Sequence, residues 1–416
     1  MTDDRTAAGE PRAAHGLGGK VLAVTTSVQT VVQLSLIVPV SVAPAVAISL
    51  GIPPWYAGYH ITIAYMATTL FSAFAGAAVH RFGACRMSQI CLLFSVAGSL
   101  LISASSVPLF ACGSAMIGIA LALTNTTGAH LLARFTDPQR RNLVFSINKT
   151  GVPLGGVLAG LIGPGIAAVA GWHWAPLVPA AIALLLVLAI QPMRTRLDDD
   201  RTSTFRVEHA GFGGLALIFK TDRLRWLTIG GLGLEVAQLA FIAYLVTALN
   251  QELGFSLLAA GYVLSAAQVA GVFGRLFWGW AADRIGDGLA LLVALSLWSV
   301  LTFGAISLAS IDGPPFGVGT LFVLTAIAVM GWFGVYLAEV ARLSPPGMVA
   351  TVTGANLAVI TIAAFGGPSL FALFYTLTNS YTTCFGLLAV ACAFSALTVQ
   401  KTRRVVAAEA AKAGAP

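Results

Sequence analysis

The chain is short of charge. Lys, Arg, Asp and Glu together supply 9% of its 416 residues, against roughly 25% in a soluble domain. Such a chain cannot cover a water-facing surface with polar groups, which excludes a soluble enzyme. It has neither the charged runs of a disordered protein nor the basic clusters of a nucleic-acid binder. Cysteine is scarce too. Cys85, Cys91, Cys112, Cys384 and Cys392 are odd in number and lack metal-ligand spacing, so they read as small apolar filler. There is no HExxH, no His/Cys cluster and no nucleophile–base pair, so neither a metal, nor a cofactor, nor enzyme chemistry is expected. A convincing cleavable leader is missing as well. The run Ser-Val-Ala-Pro-Ala-Val-Ala at 41–47 imitates a cleavage site, but the span containing it has a counterpart later in the chain, so it reads as a mature helix.

What the chain has instead is apolar length. Hydrophobic residues make up 57% of it, in long stretches without period-2 alternation. A bilayer core about 30 Å thick needs roughly 20 apolar residues per helix, and only helices or closed barrels satisfy the backbone there. The pattern predicts an all-α integral membrane protein. Twelve spans follow, over 21–47, 57–79, 87–106, 108–132, 142–169, 172–192, 226–249, 257–281, 288–310, 316–341, 348–376 and 380–400. They form two blocks of six, 21–192 and 226–400, joined by the polar segment 193–225 and flanked by tails at 1–20 and 401–416.

The few charges are sorted by side. Of 23 Lys and Arg, Lys149 and Arg275 lie within spans; the other 23 − 2 = 21 fall in the tails and the loops after even-numbered spans. The opposite loops carry only Glu252 and Asp312. The positive-inside rule then puts both termini in the cytoplasm, in the cell (inner) membrane. An odd number of spans would scatter these charges over both sides.

The two blocks repeat each other. Ala57-Gly58-Tyr59 recurs as Ala260-Gly261-Tyr262, an offset of 260 − 57 = 203. Gly76-Ala77-Ala78-Val79-His80-Arg81-Phe82-Gly83 recurs at the same offset as Gly279-Trp280-Ala281-Ala282-Asp283-Arg284-Ile285-Gly286, and Gly163-Pro164 recurs as Gly367-Pro368. Parallel repeats of six helices form the architecture in which one half rocks against the other around a midplane site. Asp198-Asp199-Asp200 in the joining segment reads as part of a solvated linker.

These residues resemble the major facilitator superfamily. Its signature between spans two and three is Gly, three residues, Asp, Arg or Lys, one residue, Gly, then basic residues. Gly279, Asp283, Arg284 and Gly286 fit it; Gly76, Arg81 and Gly83 fit with His80 in place of the Asp. The resemblance implies two pseudo-symmetric six-helix bundles with spans five and eight packed where they meet. It also implies a gating lock in which the Asp and basic residue pair with neighbouring helix ends. The departure at His80 puts the first copy of that lock in doubt. Gly76 and Gly279 are expected to allow close helix contact.

Ionisable groups within a span are costly and mark function. Lys149 lies eight residues beyond Arg141, and Arg275 eight before Asp283, each about 12 Å inward. Two cations at one depth in one cavity repel unless an anion lies between them. Arg can grip a carboxylate bidentately while Lys acts as a point charge. The bland alternative is that each snorkels to the interface or pairs for packing. Gly274-Arg275-Leu276-Phe277-Trp278-Gly279 also resembles span eight of monocarboxylate and oxalate/formate porters, where an Arg four residues before the signature Gly binds the substrate carboxylate. Glu235 is the one carboxylate deep in a span. Burial favours a neutral acid, which suits a group that loads and releases a proton; a structural, ion-paired Glu is the alternative.

The remaining polar positions are neutral. Thr26, Thr30 and Gln33 share a face of span one, with Gln29 a turn from Gln33; that stripe should meet protein or a cavity. Gln238 shares the face of Glu235. Asn125, Thr126 and Thr127 on span four, and Trp332 with Tyr336 on span ten, are further candidates for substrate contact. His60 and His130 read as interfacial, and Glu339 as a local partner of Arg342. Span five, from Gly151 through Gly160 to Gly163-Pro164, comes close to the glycine-proline signature of proton-driven drug antiporters but misses its spacing.

The expected function is secondary active transport of a small organic anion, a carboxylate, by alternating access. It is proton-coupled through Glu235, with import by symport favoured and the protein a monomer in the lipid bilayer. The alternative is a proton-antiporting efflux pump for lipophilic compounds or drugs.

Overall fold

The computed structural model of the chain describes residues 10–136, 140–200, 213–309 and 314–413. Arg5, Arg201, Arg206 and Asp312 lie outside them. The regular structure among the described residues is helical. Eleven helices are each long and apolar enough to cross a membrane, and the pair Pro54–Ser72 and Phe74–Phe82, bent by 61°, makes up to twelve.

In chain order, span one is Glu10–Ser41 and span two Gly58–Phe82. Span three is Ala84–Ile102 and span four Val107–Phe135. Span five is Arg141–Lys149 with Gly151–Ala170, and span six Leu177–Ile190. The second bundle runs through span seven, Asp222–Gln251, span eight, Leu257–Ile285, and span nine, Gly288–Ser307. Span ten is Pro315–Val329 with Trp332–Leu343, span eleven Val349–Thr378 and span twelve Tyr381–Ala413.

Besides the bend in span two, spans five and ten are interrupted, each near an intramembrane cation. Span five is interrupted at Thr150. Pro153 has no N–H to give the Lys149 carbonyl four residues back. Span ten is interrupted at Met330-Gly331, where span eight packs hard against it: a Cβ on Gly274 would lie 2.4 Å from the Ile327 carbonyl oxygen.

The halves meet toward the end of the bundle away from the basic loops. Gly156 and Gly160 of span five receive Gln268, Ser265 and Gly261 of span eight, and a Cβ on Gly261 would stand 2.4 Å from the Gly160 oxygen. Ser265 Oγ donates to the Val157 carbonyl at 2.9 Å. The second seam joins spans two and eleven, where Thr62 Oγ1 donates to the Phe365 carbonyl at 3.1 Å and meets Ser369 Oγ at 2.9 Å. Ser265 and Thr62 are repeat mates, 265 − 62 = 203. Tyr244 Oη of span seven reaches the Trp55 and Pro368 carbonyls at 3.1 Å each.

At the basic end, charges pair within their own half. In the first half, His130 and Arg134 of span four hold Asp199 and Asp200. In the second, Arg223 holds Glu409, Arg403 holds Asp287, and Arg342 holds Glu339 as expected.

Several expectations are corrected here. The triple Asp is not solvated throughout: Asp199 and Asp200 are open to solvent, but Asp198 is not. Asp198 is 4% exposed and accepts from the backbone N–H groups of Cys85 and Arg86 at 2.7 and 3.1 Å, meeting the unpaired donors that open span three. Gly76 and Gly279 make no close helix contact in this state, since a Cβ at either would meet nothing within 4 Å. The second glycine of each signature is the constrained one: Gly83 has φ +91° and Gly286 φ +71°, values that favour glycine. His60 is not interfacial. It is 2% exposed, with Nδ1 at 2.7 Å from Ser114 Oγ and Nε2 at 2.9 Å from the Leu36 carbonyl.

Candidate functional site

Helical register places the two intramembrane cations. Gly156 of span five packs on Gln268 of span eight. Lys149 lies seven residues from Gly156, and Arg275 seven from Gln268, both toward the basic end. Seven residues are about 20° short of two turns and about 10 Å of rise. On the continuous span eight this keeps Arg275 on the face that carries the seam, while Lys149 lies the same number of residues below it across the break at Thr150.

Each is held by its own half. Arg275 Nε donates to the Met330 carbonyl at 2.8 Å, at the break in span ten. Its two terminal nitrogens carry no hydrogen bond to the described residues. Lys149 Nζ donates to Asn125 Oδ1 at 2.9 Å, so two expected contacts from different spans come together. Lys149 and Asn125 are both solvent-accessible. The structure does not bring Lys149 to Arg275. The ionisable groups within electrostatic reach of Arg275 are instead Glu235 of span seven and the neutral Tyr65 hydroxyl of span two.

Glu235 is 9% exposed. No donor among the described residues bonds its carboxyl, and it closes no ion pair within 4 Å. Its face of span seven is framed by span ten. One turn toward the basic end, Gly231 leaves room for the Tyr336 ring, whose Cζ would lie 2.6 Å from a Cβ there. One turn the other way, Gln238 Oε1 accepts from Trp332 Nε1 at 2.9 Å. Trp332 and Tyr336, four residues apart, stack edge to face at 5.0 Å and meet span seven one turn to either side of Glu235.

The polar stripe of span one lies elsewhere. Gln29, Thr30 and Gln33 are buried, and Gly151 and Gly155 of span five pack onto them. In this state they join spans one and five. Thr126 bonds the backbone of its own helix, as does Thr127. His130 pairs with Asp200. Arg81, Asp283 and Arg284 of the gating signatures are exposed at the basic end. Among the described residues Asp283 and Arg284 have no ion-pair partner.

Sequence reasoning missed three contributors. Tyr65 is one of two tyrosines on an apolar span, with nothing to tell it from packing. Thr228 and Asn356 are neutral and buried, and only the fold shows that they bond each other and Tyr336. Two apolar cavities lie apart from this cluster: about 360 Å³ beside His60, Tyr59 and Phe110, and about 740 Å³ between spans one, five and six.

The arrangement has relatives. A solved peptide transporter, POT, in complex with sulfate superposes with a TM-score of 0.74 at 15% identity, covering 93% of this chain and 95% of that one. A bacterial homolog to the human lysosomal transporter Spinster, inward-facing and occupied, gives 0.72 at 14% identity over 93% and 97%. At these identities the likeness concerns the fold. Two uncharacterized MFS-type transporters of Mycobacterium tuberculosis, from strains CDC 1551 / Oshkosh and ATCC 25618 / H37Rv, are 24% and 23% identical over 279 residues, 66% of this chain. The chain spans about 60% of the length of these curated relatives. The model of the Major Facilitator Superfamily matches residues 25–368. With eleven to twelve membrane-length helices among the described residues and that match across most of its length, the chain belongs to the Major Facilitator Superfamily.

Proposed function

We propose that the protein carries a small organic anion, a carboxylate, across the cytoplasmic (inner) membrane by alternating access, coupled to protons through Glu235. The observation that carries this reading is the pairing of uncommitted charges. Arg275 is anchored by one nitrogen and keeps a two-nitrogen fork for a ligand, the geometry that grips a carboxylate. Glu235 stands within electrostatic reach without a protein donor, as a group that must exchange a proton would.

A working cycle follows. Both termini face the cytoplasm, so the basic end is the inner one and the seams at Thr62 and Ser265 close the outer one. When the halves rock, Lys149 approaches Arg275 at matched depth, and an anion between them removes their repulsion. Protonation of Glu235 removes the one negative charge that competes for Arg275. Anion and proton then favour each other, which is the logic of symport. Trp332, Tyr336, Gln238 and Tyr65 supply the wall against the rest of the substrate. The unit is a monomer, because each seam is complete within one chain.

The test is a thermal-shift screen of carboxylates, phosphates, sugars and cationic drugs on purified protein, since a ligand that binds the folded state raises stability by mass action. A carboxylate should stabilise the wild type and leave Arg275→Ala unmoved. Stabilisation by lipophilic cations, retained in Arg275→Ala, would support the drug-efflux alternative and remove the anion reading.

A further inference from the structure

A one-way hydrogen-bond chain ends beside Glu235. Thr228 Oγ1 donates to the Leu224 carbonyl at 2.8 Å, and a carbonyl can only accept. With its proton committed, Thr228 accepts from Asn356 Nδ2 at 2.8 Å. That fixes the Asn356 amide, so its Oδ1 accepts from the Tyr336 hydroxyl at 3.0 Å. All three side chains are at most 1% exposed, and nothing from solvent competes. The Tyr336 oxygen is left with lone pairs alone to offer.

That oxygen stands against Gly231, one turn from Glu235, with no hydrogen bond to its carboxyl in this state. A helical side chain leans over the turn preceding its own Cα, and for Glu235 that turn is Gly231, the slot that receives the Tyr336 ring end. A lone pair repels a carboxylate oxygen and accepts from a carboxylic acid. Hydrogen bonding to the neutral form favours that form.

We propose that Asn356 is a positioning residue for proton binding: by taking the Tyr336 hydroxyl proton, it makes the Tyr336 oxygen an acceptor that only protonated Glu235 can use. The inference rests on the reading of Glu235 as the proton carrier. The other groups facing Glu235 are Arg275 of span eight and the Tyr65 hydroxyl of span two. Spans one and eleven, and the transmembrane part of span twelve, bring no charged side chain to this depth.

Infrared difference titration of the purified full-length protein tests this without knowledge of the substrate. The carboxylic-acid C=O band of Glu235 is assigned by its loss in Glu235→Gln, and its pH midpoint is compared between variants. In Asn356→Leu the freed Tyr336 hydroxyl can donate to the carboxylate. The midpoint should fall by about one pH unit, the size that a gained charge-assisted hydrogen bond gives. Adding Tyr336→Phe removes that donor and should reverse the fall. A wild-type midpoint in Asn356→Leu, or a fall that persists in the double variant, overturns the proposal. If Asn356→Leu does not fold, Thr228→Val unlocks the amide and should give a smaller fall; an unchanged midpoint there overturns it equally. Failure of the parent reading shows separately, as proton-driven accumulation that survives Glu235→Gln whatever the midpoints do.

Discussion

The two ends of the cleft between the halves are built from different materials. At the end away from the basic loops the halves touch through backbone: Gly261 on the Gly160 carbonyl, Ser265 on the Val157 carbonyl and Thr62 on the Phe365 carbonyl. At the basic end each half spends its charges on itself, with Asp198, Asp199 and Asp200 gathered by the first half and Asp287, Glu339 and Glu409 by the second. Backbone contact through small residues is tight but involves few strong bonds, so it can be undone. Charges that are satisfied within a half ask nothing of the other half, so that end can stand open. The repeat explains why the closed end has two seams: Thr62 and Ser265 are the same residue of the repeat, each bonding a carbonyl of the opposite half.

The comparison can be broken most severely at Gly261. A leucine there overpacks the span-five seam and should cost the closed state about 3 kcal/mol, roughly a hundredfold in its population. It would be read as loss of uptake by a folded, monodisperse protein. Gly279→Ala is the control. Its Cβ meets nothing, and the melting temperature should hold or rise slightly, as for an exposed helix glycine.

Next in size is Asp198→Ala. It strands two backbone donors and should cost about 1–3 kcal/mol in a melt, acting on the first half alone. Loss of Asp287 cannot reproduce it, because the second half caps span nine locally, with Asp287 accepting from the Ala290 N–H at 2.9 Å. The first half has Ala84 at the repeat position and borrows its carboxylate from the joining segment. The seams themselves are gentler. Thr62→Val and Ser265→Ala should each remove about 1 kcal/mol from the closed state. They should shift a spin-label distance across the outer end by like amounts and add in the double variant. Unequal effects would deny the seams their equivalence.

The smallest effect is one of pH. The hydrogen bond from the Arg134 guanidinium holds the Asp199 carboxyl below the usual carboxylate range. A group whose folded pKa is depressed stabilises above its unfolded value and loses that contribution as pH falls. The clasp of Asp199 on span four should therefore be intact at neutral pH and loosen only below about pH 4, visible as faster proteolysis near residues 193–200 in acid.

The fold was legible in the sequence because its signals are long-range and redundant. Hydropathy runs gave the spans, the near-constant offset of 203 to 204 residues gave the repeat, and the sorting of Lys and Arg gave one face its character. Arg275, Lys149 and Glu235 stood out because ionisation inside a bilayer needs a reason. What stayed hidden depends on one residue meeting another far along the chain. Tyr65, Thr228 and Asn356 carry no charge to flag them. His60 looked interfacial because its partners, Ser114 and the Leu36 carbonyl, lie on other spans. Asp198 gives no sign of burial in the sequence because a run of acids in a polar segment resembles any linker. Gly76 and Gly279 misled in the other direction: a signature glycine need not be a packed one, and in this state both face open space.

The most direct measurement of the central claim, that Glu235 carries the coupled proton, is transport by Glu235→Gln in proteoliposomes, using the carboxylate that stabilises the wild type. Counterflow exchange should run near the wild-type rate while accumulation driven by a proton gradient disappears. Accumulation that persists at the wild-type level would contradict the account and return Glu235 to a structural part.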